Sequence, residues 1–262
     1  MSASGAGDDP LLAFDRVTLT FGGVTALSEV SFDVRVGELF AVIGPNGAGK
    51  TSIFNCLSGV YRPTSGEIRF QGARIDRMSP VAIARRGVAR TFQNLALFSD
   101  LTVLDNVMLG RHHRMTTGYL AAALWLGKAK REELAHRAHC ETILELLELE
   151  SYRFAHVATL PYGVRKRLEL ARALAMEPTL LLLDEPVAGM NQEESEDMAR
   201  FILEIRRALG VAVLLVEHDM HLVMDLADRV LALDFGRVLR VGTPAEVRGD
   251  AAVVEAYLGG AA

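Results

Sequence analysis

The sequence has 262 residues, of which 50% are hydrophobic and 23% charged, an ordinary globular composition that excludes a disordered or collagen-like chain. At roughly 150 residues per domain, this length allows one large domain or two small ones. The formal net charge is −5, because 33 Asp and Glu residues outnumber 28 Lys and Arg residues. A nucleic-acid binder usually carries a positive overall field, so we expect no nucleic-acid partner.

Cysteine usage and the apolar runs indicate where the protein works. Cys56 and Cys140 are far apart and form no C-x-x-C pair, so a reducing cytoplasm is expected rather than a disulfide framework or a zinc ribbon. Residues 1–10 are small, polar and acidic, unlike a secretory signal, and are predicted to form a flexible tail. The apolar runs at 179–183 and 211–216 are far shorter than the roughly 20 residues that cross a bilayer. Any membrane function would therefore need another subunit to span the membrane.

Short apolar runs with β character recur along the chain, and several are separated by helical patterns. This order predicts an α/β fold with a mainly parallel sheet. The early strands follow one another with little helix between them, so we also expect an N-terminal antiparallel β layer. Residues 101–149 show no convincing strand, and 132–149 has apolar residues at helical spacing. A helical subdomain at about 95–178 is therefore predicted as an insertion in a single domain covering 11–262. The predicted strands are 16–21, 30–36, 39–43, 67–70, 180–183, 211–216 and 229–233.

A glycine-rich segment at residues 44–51 fits the pattern G-x-x-x-x-G-K-S/T of a phosphate-binding loop. It follows the apolar strand at 39–43 and precedes a helical pattern, which is the context that such a loop requires. The backbone N–H groups and the helix N-terminus would surround a phosphate, Lys50 would reach the β and γ oxygens, and Thr51 would supply a hydroxyl to Mg²⁺. The glycine spacing differs from the G-x-G-x-x-G of dinucleotide-binding folds. The predicted nucleotide-binding residues of this loop are Gly44, Pro45, Asn46, Gly47, Ala48, Gly49, Lys50, Thr51 and Ser52.

Polar side chains also follow later apolar strands. Asp184 and Glu185 end one strand, and His218 follows another. In an open parallel sheet the ligand crevice lies at the carboxyl ends of the strands, where the phosphate loop also sits. We therefore expect Asp184 to hold Mg²⁺, Glu185 to polarise the attacking water and His218 to sense the γ-phosphate. Gln93 has weaker support, since an exposed loop glutamine would look the same.

The motifs occur in an order that resembles the ATP-binding subunits of ABC transporters, and the resemblance covers nearly the whole chain. It includes a segment at 160–164 and a helical pattern at 165–174 just before the acidic strand. Within that superfamily the chain is similar to the ATPases of branched-chain amino acid importers. The segments that carry this finer similarity are Phe21-Gly22-Gly23, Arg90-Thr91-Phe92-Gln93, Ala188-Gly189-Met190-Asn191, Glu217-His218-Asp219-Met220 and Ala256-Tyr257-Leu258-Gly259.

The resemblance implies particular partners. It implies a head-to-tail dimer with a second ATPase subunit, identical or related, on integral membrane permease subunits at the cytoplasmic face of the cell membrane. An extracytoplasmic solute-binding protein would act indirectly. Each ATP would lie between the phosphate loop of one chain and the signature segment of the other, here Leu160, Tyr162 and Gly163. Met190 and Asn191 would lie at the dimer seam.

The resemblance also implies roles at the nucleotide. Phe21 would stack on adenine, and Gln93 would reach Mg²⁺ and the water while coupling hydrolysis to the permease. Glu185 would be the general base, and His218 would hold the γ-phosphate. The cofactors implied are ATP and Mg²⁺, and the metal ligands would be Thr51, Gln93 and Asp184.

The sequence departs from the superfamily pattern at two places. The usual signature is Leu-Ser-Gly-Gly-Gln, and only Leu160 and Gly163 match it. Pro161 offers neither a hydroxyl nor a backbone N–H to a phosphate, so one ATP site is expected to be weak. Asn191 replaces the usual Asp of the seam loop, and it could equally cap a helix in a capping box with Glu194. Both roles can hold at once.

Three alternatives remain open. The ATPase could serve another cargo, such as an amide, urea, an aromatic acid or an exported lipid, because the cargo never touches this subunit. It could instead remodel nucleic-acid or ribosomal complexes without a membrane partner, although the acidic charge balance and the single nucleotide domain disfavour this. A P-loop kinase would need a substrate lid in place of the segment at 160–174.

Overall fold

The computed structural model describes residues 9–91, 96–114 and 128–259. The strands in these ranges are β1 (Leu12–Phe21), β2 (Val24–Val34), β3 (Leu39–Ile43), β4 (Ser65–Phe70), β5 (Ala73–Arg74), β6 (Val88–Arg90), β7 (Leu180–Asp184), β8 (Ala212–Val216), β9 (Arg229–Asp234) and β10 (Arg237–Gly242). The α-helices are α1 (Lys50–Leu57), α2 (Pro80–Arg85), α3 (Val103–Gly110), α4 (Lys128–Leu146), α5 (Tyr162–Leu174), α6 (Gln192–Leu209), α7 (Met220–Leu226), α8 (Pro244–Arg248) and α9 (Ala251–Gly259).

The described strands form two sheets. One has four strands in the order β2-β1-β4-β5, and all its pairs are antiparallel. The other has six strands in the order β10-β9-β3-β8-β7-β6, parallel throughout except for the edge strand β10. Helices α3, α4 and α5 lie in the chain between β6 and β7. The predicted α/β class, with a mainly parallel sheet, an antiparallel N-terminal layer and an inserted helical segment, is confirmed.

The central strands are apolar except for Asp184 at the end of β7, because both faces of the six-stranded sheet are covered. Every residue of β3, β7 and β8 is buried. Successive side chains of a strand point to opposite faces. Leu39, Ala41 and Ile43 therefore join one core with helices α3 to α6, whereas Phe40 and Val42 join a second core with α1 and the antiparallel sheet. Strands buried on both faces account for the continuous apolar runs in the sequence.

Element boundaries differ from the prediction where the local pattern is irregular. Strand β2 begins at Val24, well before the predicted 30–36, and its pairing with β1 is interrupted by register shifts. Strand β10 was not predicted, because it is a half-buried edge strand with exposed Arg residues in place of a regular apolar alternation. Helix α4 ends at Leu146, before the predicted 149, since Glu148 adopts a left-handed backbone with φ 53°.

Helix length and composition also bear on the membrane. In the described ranges, no helix combines the length and the apolar composition that a bilayer crossing requires.

Cys56 and Cys140 are free and buried, one in each core. Burial raises the pKa of the Cys56 thiol to about 12 and that of Cys140 to about 11, so both remain protonated and act as small apolar side chains.

Leu215 of β8 tests the core that joins the sheet to the helices. The side chain is fully buried, and Leu215→Ala would leave a cavity that the rigid sheet cannot close. We expect the free energy of unfolding to fall by about 2–5 kcal/mol, measured by urea denaturation. Leu134→Ala in α4, where the side chain is 56% exposed, is the control. It should change the free energy of unfolding by less than about 0.5 kcal/mol. Equal losses in the two variants would contradict this placement of the core.

Candidate functional site

The parallel register brings the ends of three strands to one edge of the six-stranded sheet. Val216 pairs with Val42 of β3 on one side and with Asp184 of β7 on the other. The backbone N–H of Glu185 donates to the Val216 carbonyl at 2.9 Å, which extends this alignment beyond the strands. The segments that follow β3, β7 and β8 therefore begin at the same level. They carry the phosphate loop, Glu185 and His218.

A cleft of about 380 Å³ opens at this edge. Glu185 and His218 line it together with residues 46–52 of the phosphate loop. Thr51 is exposed in the cleft and Ser52 is half-buried. Four further lining residues were not predicted from the sequence, namely Val24, Thr25, Ala26 and Phe235. They come from the start of β2 and from the turn between β9 and β10, so only the tertiary fold brings them here.

Glycines allow the phosphate loop to pack against neighbouring backbone. A Cβ atom at Gly44 would overlap the carbonyl oxygen of Leu233 in β9, and one at Gly49 would lie 2.7 Å from the carbonyl oxygen of Ala26 in β2. Gly49 also has φ 106°, a backbone conformation that L side chains rarely adopt. The loop is therefore held between β2 and β9 in a fixed shape. Its helix, α1, begins at Lys50 with its N-terminus toward the cleft.

The Lys50 ammonium group folds back into the phosphate loop. The Lys50 Nζ donates to the carbonyl oxygens of Gly44 at 2.6 Å and Pro45 at 3.0 Å. Lys50 is buried, and burial lowers the pKa of its ammonium group, while the negative charges of Glu185 and Asp184 act in the opposite direction. The loop thus holds a cation that is poorly solvated. Such a cation favours an anionic ligand in the cleft.

Glu185 and His218 meet just beyond the carboxyl ends of the paired strands β7 and β8. The Nε2 atom of His218 lies 2.5 Å from Oε1 of Glu185, and the imidazole donates when Nε2 carries the proton. Glu185 has a left-handed backbone with φ 50°, which is uncommon for a residue with a side chain. Strain of this kind often accompanies functional sites. The arrangement can orient a carboxylate that accepts a proton.

Asp184 forms an ion pair that the sequence reasoning missed. Nη2 of Arg90 lies 2.8 Å from Oδ2 of Asp184; Asp184 is buried and Arg90 is mostly covered. Nη1 of the same guanidinium donates to Oδ1 of Asn55 at 2.7 Å and to Oγ of Ser58 at 3.1 Å. The position of Arg90 could have indicated this ion pair, because Arg90 ends β6 and pairs in register with Leu182 of the neighbouring strand. A charged residue at the end of an adjacent parallel strand points to a partner for the buried acid.

Phe21 and Gln93 were also predicted to contact the nucleotide, but neither is among the described residues that line the cleft. Phe21 ends β1, is half-exposed and packs edge-to-face on Tyr61 with ring centroids 4.9 Å apart. It does not line the cleft within the part of the chain that the structure describes. Gln93 lies outside the described residues. Most of the predicted tail at 1–10 also lies outside them, since the description begins at residue 9.

The residues predicted for the signature segment contact residues on either side of the predicted seam pair, Met190 and Asn191, in the same chain. The Tyr162 hydroxyl donates to the Ala188 carbonyl at 2.9 Å, and Gly163 is so close to Glu194 that a Cβ atom there would lie 2.6 Å from its Oε1. The predicted capping box is confirmed, because Asn191 Oδ1 accepts from Glu194 N–H at 2.9 Å and Glu194 Oε2 accepts from Asn191 N–H at 3.1 Å. Leu160 is buried and Met190 half-buried on the helical core. None of these residues lines the cleft in the described ranges.

Arg90→Met tests the buried ion pair. The substitution keeps an extended side chain but removes the charge that faces Asp184. An unpaired buried carboxylate should lower the free energy of unfolding by about 3–5 kcal/mol. Arg62→Met, at an exposed position, is the control and should change it by less than about 0.5 kcal/mol. Guanidinium denaturation of both variants makes the comparison, and a loss for Arg90→Met no larger than for the control would contradict the pairing.

The amino-acid sequence of the chain matches two protein-family models and several known proteins. The family described as ABC transporter matches residues 27–188, and the family described as branched-chain amino acid ATP-binding cassette transporter matches residues 241–262. The high-affinity branched-chain amino acid transport ATP-binding protein BraF of Pseudomonas aeruginosa is 40% identical over 253 residues, which cover 95% of this chain and 98% of BraF. LivG of Escherichia coli, described in the same words, is 38% identical over 250 residues, with 95% and 98% coverage.

Solved structures show the same architecture. The ADP conformation of MJ1267, an ATP-binding cassette of an ABC transporter, superposes with a TM-score of 0.83 at 28% identity, covering 96% of this chain and 100% of that one. A nucleotide-free ATP-binding cassette from an ABC transporter gives a TM-score of 0.82 at 27% identity, with 95% and 99% coverage. The chain therefore belongs to the ABC transporter family, in which it is an ATP-binding and ATP-hydrolysing subunit.

Proposed function

We propose that ATP hydrolysis by this chain energises the import of branched-chain or related amino acids. The observation that carries this proposal is the match to BraF and LivG, which extends over 95% of this chain and 98% of each relative. The separate match at residues 241–262 supports the same cargo class. Residues 11–262 would work as one domain, with the helical segment at about 95–178 inserted in it.

The cargo and the partners can be tested by gentle purification from native membranes, with the accompanying proteins identified by mass spectrometry. We expect two integral permeases, a second ATPase subunit and an amino-acid-binding protein, with this chain at the cytoplasmic face of the membrane. The cargo then follows from the amino acids that the binding protein retains. A preparation without any membrane subunit would contradict the transport function.

The residues at the cleft suggest how binding works. The N–H groups of the phosphate loop and the Lys50 ammonium would bind the β- and γ-phosphates. Thr51 lines the cleft and offers a hydroxyl, and Asp184, which directly precedes the cleft-lining Glu185, offers a carboxylate. These are the oxygen donors that Mg²⁺ prefers, so the two residues fit the metal, with Gln93 as a further proposed ligand. When bound, Mg²⁺ would neutralise charge between the β- and γ-phosphates. Phe21 would stack on adenine at the rim.

The proton transfer is assigned to Glu185. Its carboxylate would accept a proton from the attacking water, because a carboxylate within hydrogen-bond reach of the water can act as a general base. The 2.5 Å contact with His218 Nε2 restricts the carboxylate to one orientation. His218 lines the same cleft and could then contact the γ-phosphate as well. One imidazole would thereby link the base to the reacting phosphate.

A second ATPase subunit would complete each site. Leu160, Tyr162 and Gly163 would face the γ-phosphate bound by the partner's phosphate loop, and Met190 and Asn191 would lie at the seam. The contacts among Tyr162, Ala188 and Glu194 support this proposal, because they make the signature and the seam a single surface. A movement of the signature segment would therefore be transmitted to the seam, and the reverse.

Glu185→Gln separates binding from hydrolysis. The amide keeps the size of the side chain but cannot accept a proton, so we expect hydrolysis to fall at least about 100-fold. ATP affinity should persist, and a closed dimer should accumulate in saturating ATP and Mg²⁺, measured by light scattering. Glu193→Gln, an exposed position at the start of α6, is the control and should keep wild-type hydrolysis. If Glu185→Gln stays monomeric, either the homodimer is wrong or a different ATPase subunit is obligatory.

Pro161→Ser tests the weakened signature. Serine restores a hydroxyl and a backbone N–H, and one hydrogen bond to a charged group contributes about 1.5 kcal/mol. Hydrolysis in the assembled transporter should therefore rise, by up to about tenfold if the chemical step limits the rate. Pro80→Ser, at the exposed first position of α2, is the control. Unchanged or slower hydrolysis with Pro161→Ser would remove the claim that this proline weakens a site.

A further inference from the structure

Glu217 is a buried carboxylate behind the cleft. It directly follows β8 and is 3% exposed. Its Oε1 accepts from the backbone N–H of Val187 at 3.1 Å, and its Oε2 accepts from the backbone N–H of His218 at 2.9 Å. Val187 lies two residues after Glu185. The carboxylate therefore joins the turn after β7 to the turn after β8.

A carboxylate suits this position better than any other side chain of its size. Ionised Glu accepts hydrogen bonds through both oxygens and donates none, which matches two converging N–H donors. Burial raises the pKa of Glu217, while the backbone N–H groups of Val187, His218 and Asp219 act in the opposite direction by stabilising the charged form. A buried acid is destabilising unless such donors satisfy it. The site is therefore built around the carboxylate.

We propose that Glu217 is a positioning residue for ATP hydrolysis. By bridging Val187 and His218, it fixes the separation of the two turns at which Glu185 and His218 come into contact. Glu217 does not line the cleft among the described residues, so it acts through those two side chains and not on the nucleotide. The inference rests on the catalytic roles proposed above for Glu185 and His218.

Glu217→Gln is the direct test, because it preserves shape and replaces one acceptor by an NH₂ group. That NH₂ would face a backbone N–H, so the two turns would move apart or rotate. A displacement of about 1 Å at a reacting group can slow catalysis about 100-fold. We therefore expect kcat to fall by about 10- to 100-fold. The equilibrium Kd for ATP should change less than about twofold, because Lys50 and the phosphate loop keep their contacts.

Glu38→Gln is the matched control. Glu38 is also buried, and its Oε2 also accepts a backbone N–H, that of Arg35 at 2.7 Å. It precedes β3 and so lies at the amino end of the sheet, opposite the cleft. Its replacement should lower the thermal unfolding temperature at least as much as Glu217→Gln does, since Glu38 also binds Arg229. Its kcat should remain within about twofold of wild type.

The experiment measures kcat, KM, the Kd for ATP and the unfolding temperature for the full chain with the subunits that accompany it. Glu185→Gln and His218→Ala are included so that two failures can be told apart. If these two variants keep wild-type kcat, the proposed catalytic roles are wrong. If they lose activity while folded Glu217→Gln keeps it, the positioning role is wrong. A loss of ATP affinity equal to the loss of kcat would also overturn it, because it would indicate general damage.

Hydrogen exchange of the wild-type chain gives a second measurement that needs no variant. The amide protons of Val187 and His218 should exchange slowly, because each is held by the buried carboxylate. Exchange of either amide as fast as that of the exposed Gly189 backbone would contradict the bridge even if Glu217→Gln failed to fold.

Discussion

Parallel pairing of β3, β8 and β7 is the constraint on which the functional edge depends. In the register of these strands, Val42, Val216 and Asp184 lie side by side. The residues that leave the three strands therefore emerge at one level, although they are far apart in sequence. A shift of one residue in any of these strands would turn its side chains to the opposite face and separate the phosphate loop from Glu185 and His218. Each face of these strands packs in a separate core, so such a shift would also exchange side chains between two differently packed cores.

Charge at this edge is balanced locally. Lys50 is held by two loop carbonyls, Asp184 by Arg90, and Glu185 by His218. Buried charges are destabilising unless they are paired or hydrogen-bonded, so each of these contacts stabilises this edge of the fold. ATP brings several negative charges, and we propose that the Lys50 ammonium meets them at the base of the loop. Glu217 lies deeper and uses its charge to hold backbone.

Much of this arrangement was accessible from the sequence. The strand at 39–43 was predicted with its correct bounds, since a short apolar run between turn residues is typical of a buried strand. The phosphate loop was predicted from its glycine-rich motif. The acidic strand end and His218 were predicted to lie near it because the carboxyl ends of parallel strands meet at one edge. The Asn191 capping box was identified because it is a local pattern. Each of these depends on neighbouring residues or on a general rule of sheet topology.

The features that were missed depend on contacts between distant segments. Arg90 pairs with Asp184, and Phe235 reaches the cleft from the turn after β9, through packing that no local pattern specifies. Strand β10 was missed since its edge position requires no regular alternation. Phe21 was expected at the nucleotide by resemblance, but it packs on Tyr61 beside the cleft, and its stacking on adenine stays a prediction.

The most direct test of ATP binding at this edge is a calorimetric titration of the full chain with ATP and Mg²⁺. The same titration of the Lys50→Ala variant gives the comparison. Lys50 lines the cleft and should donate charge-assisted hydrogen bonds to the phosphates. The expected result is clear binding by the wild-type chain and at least about tenfold weaker binding by Lys50→Ala, since one such bond contributes roughly 1.5–3 kcal/mol. Equal affinities, or no binding by the wild-type chain, would contradict the placement of ATP at this edge of the sheet.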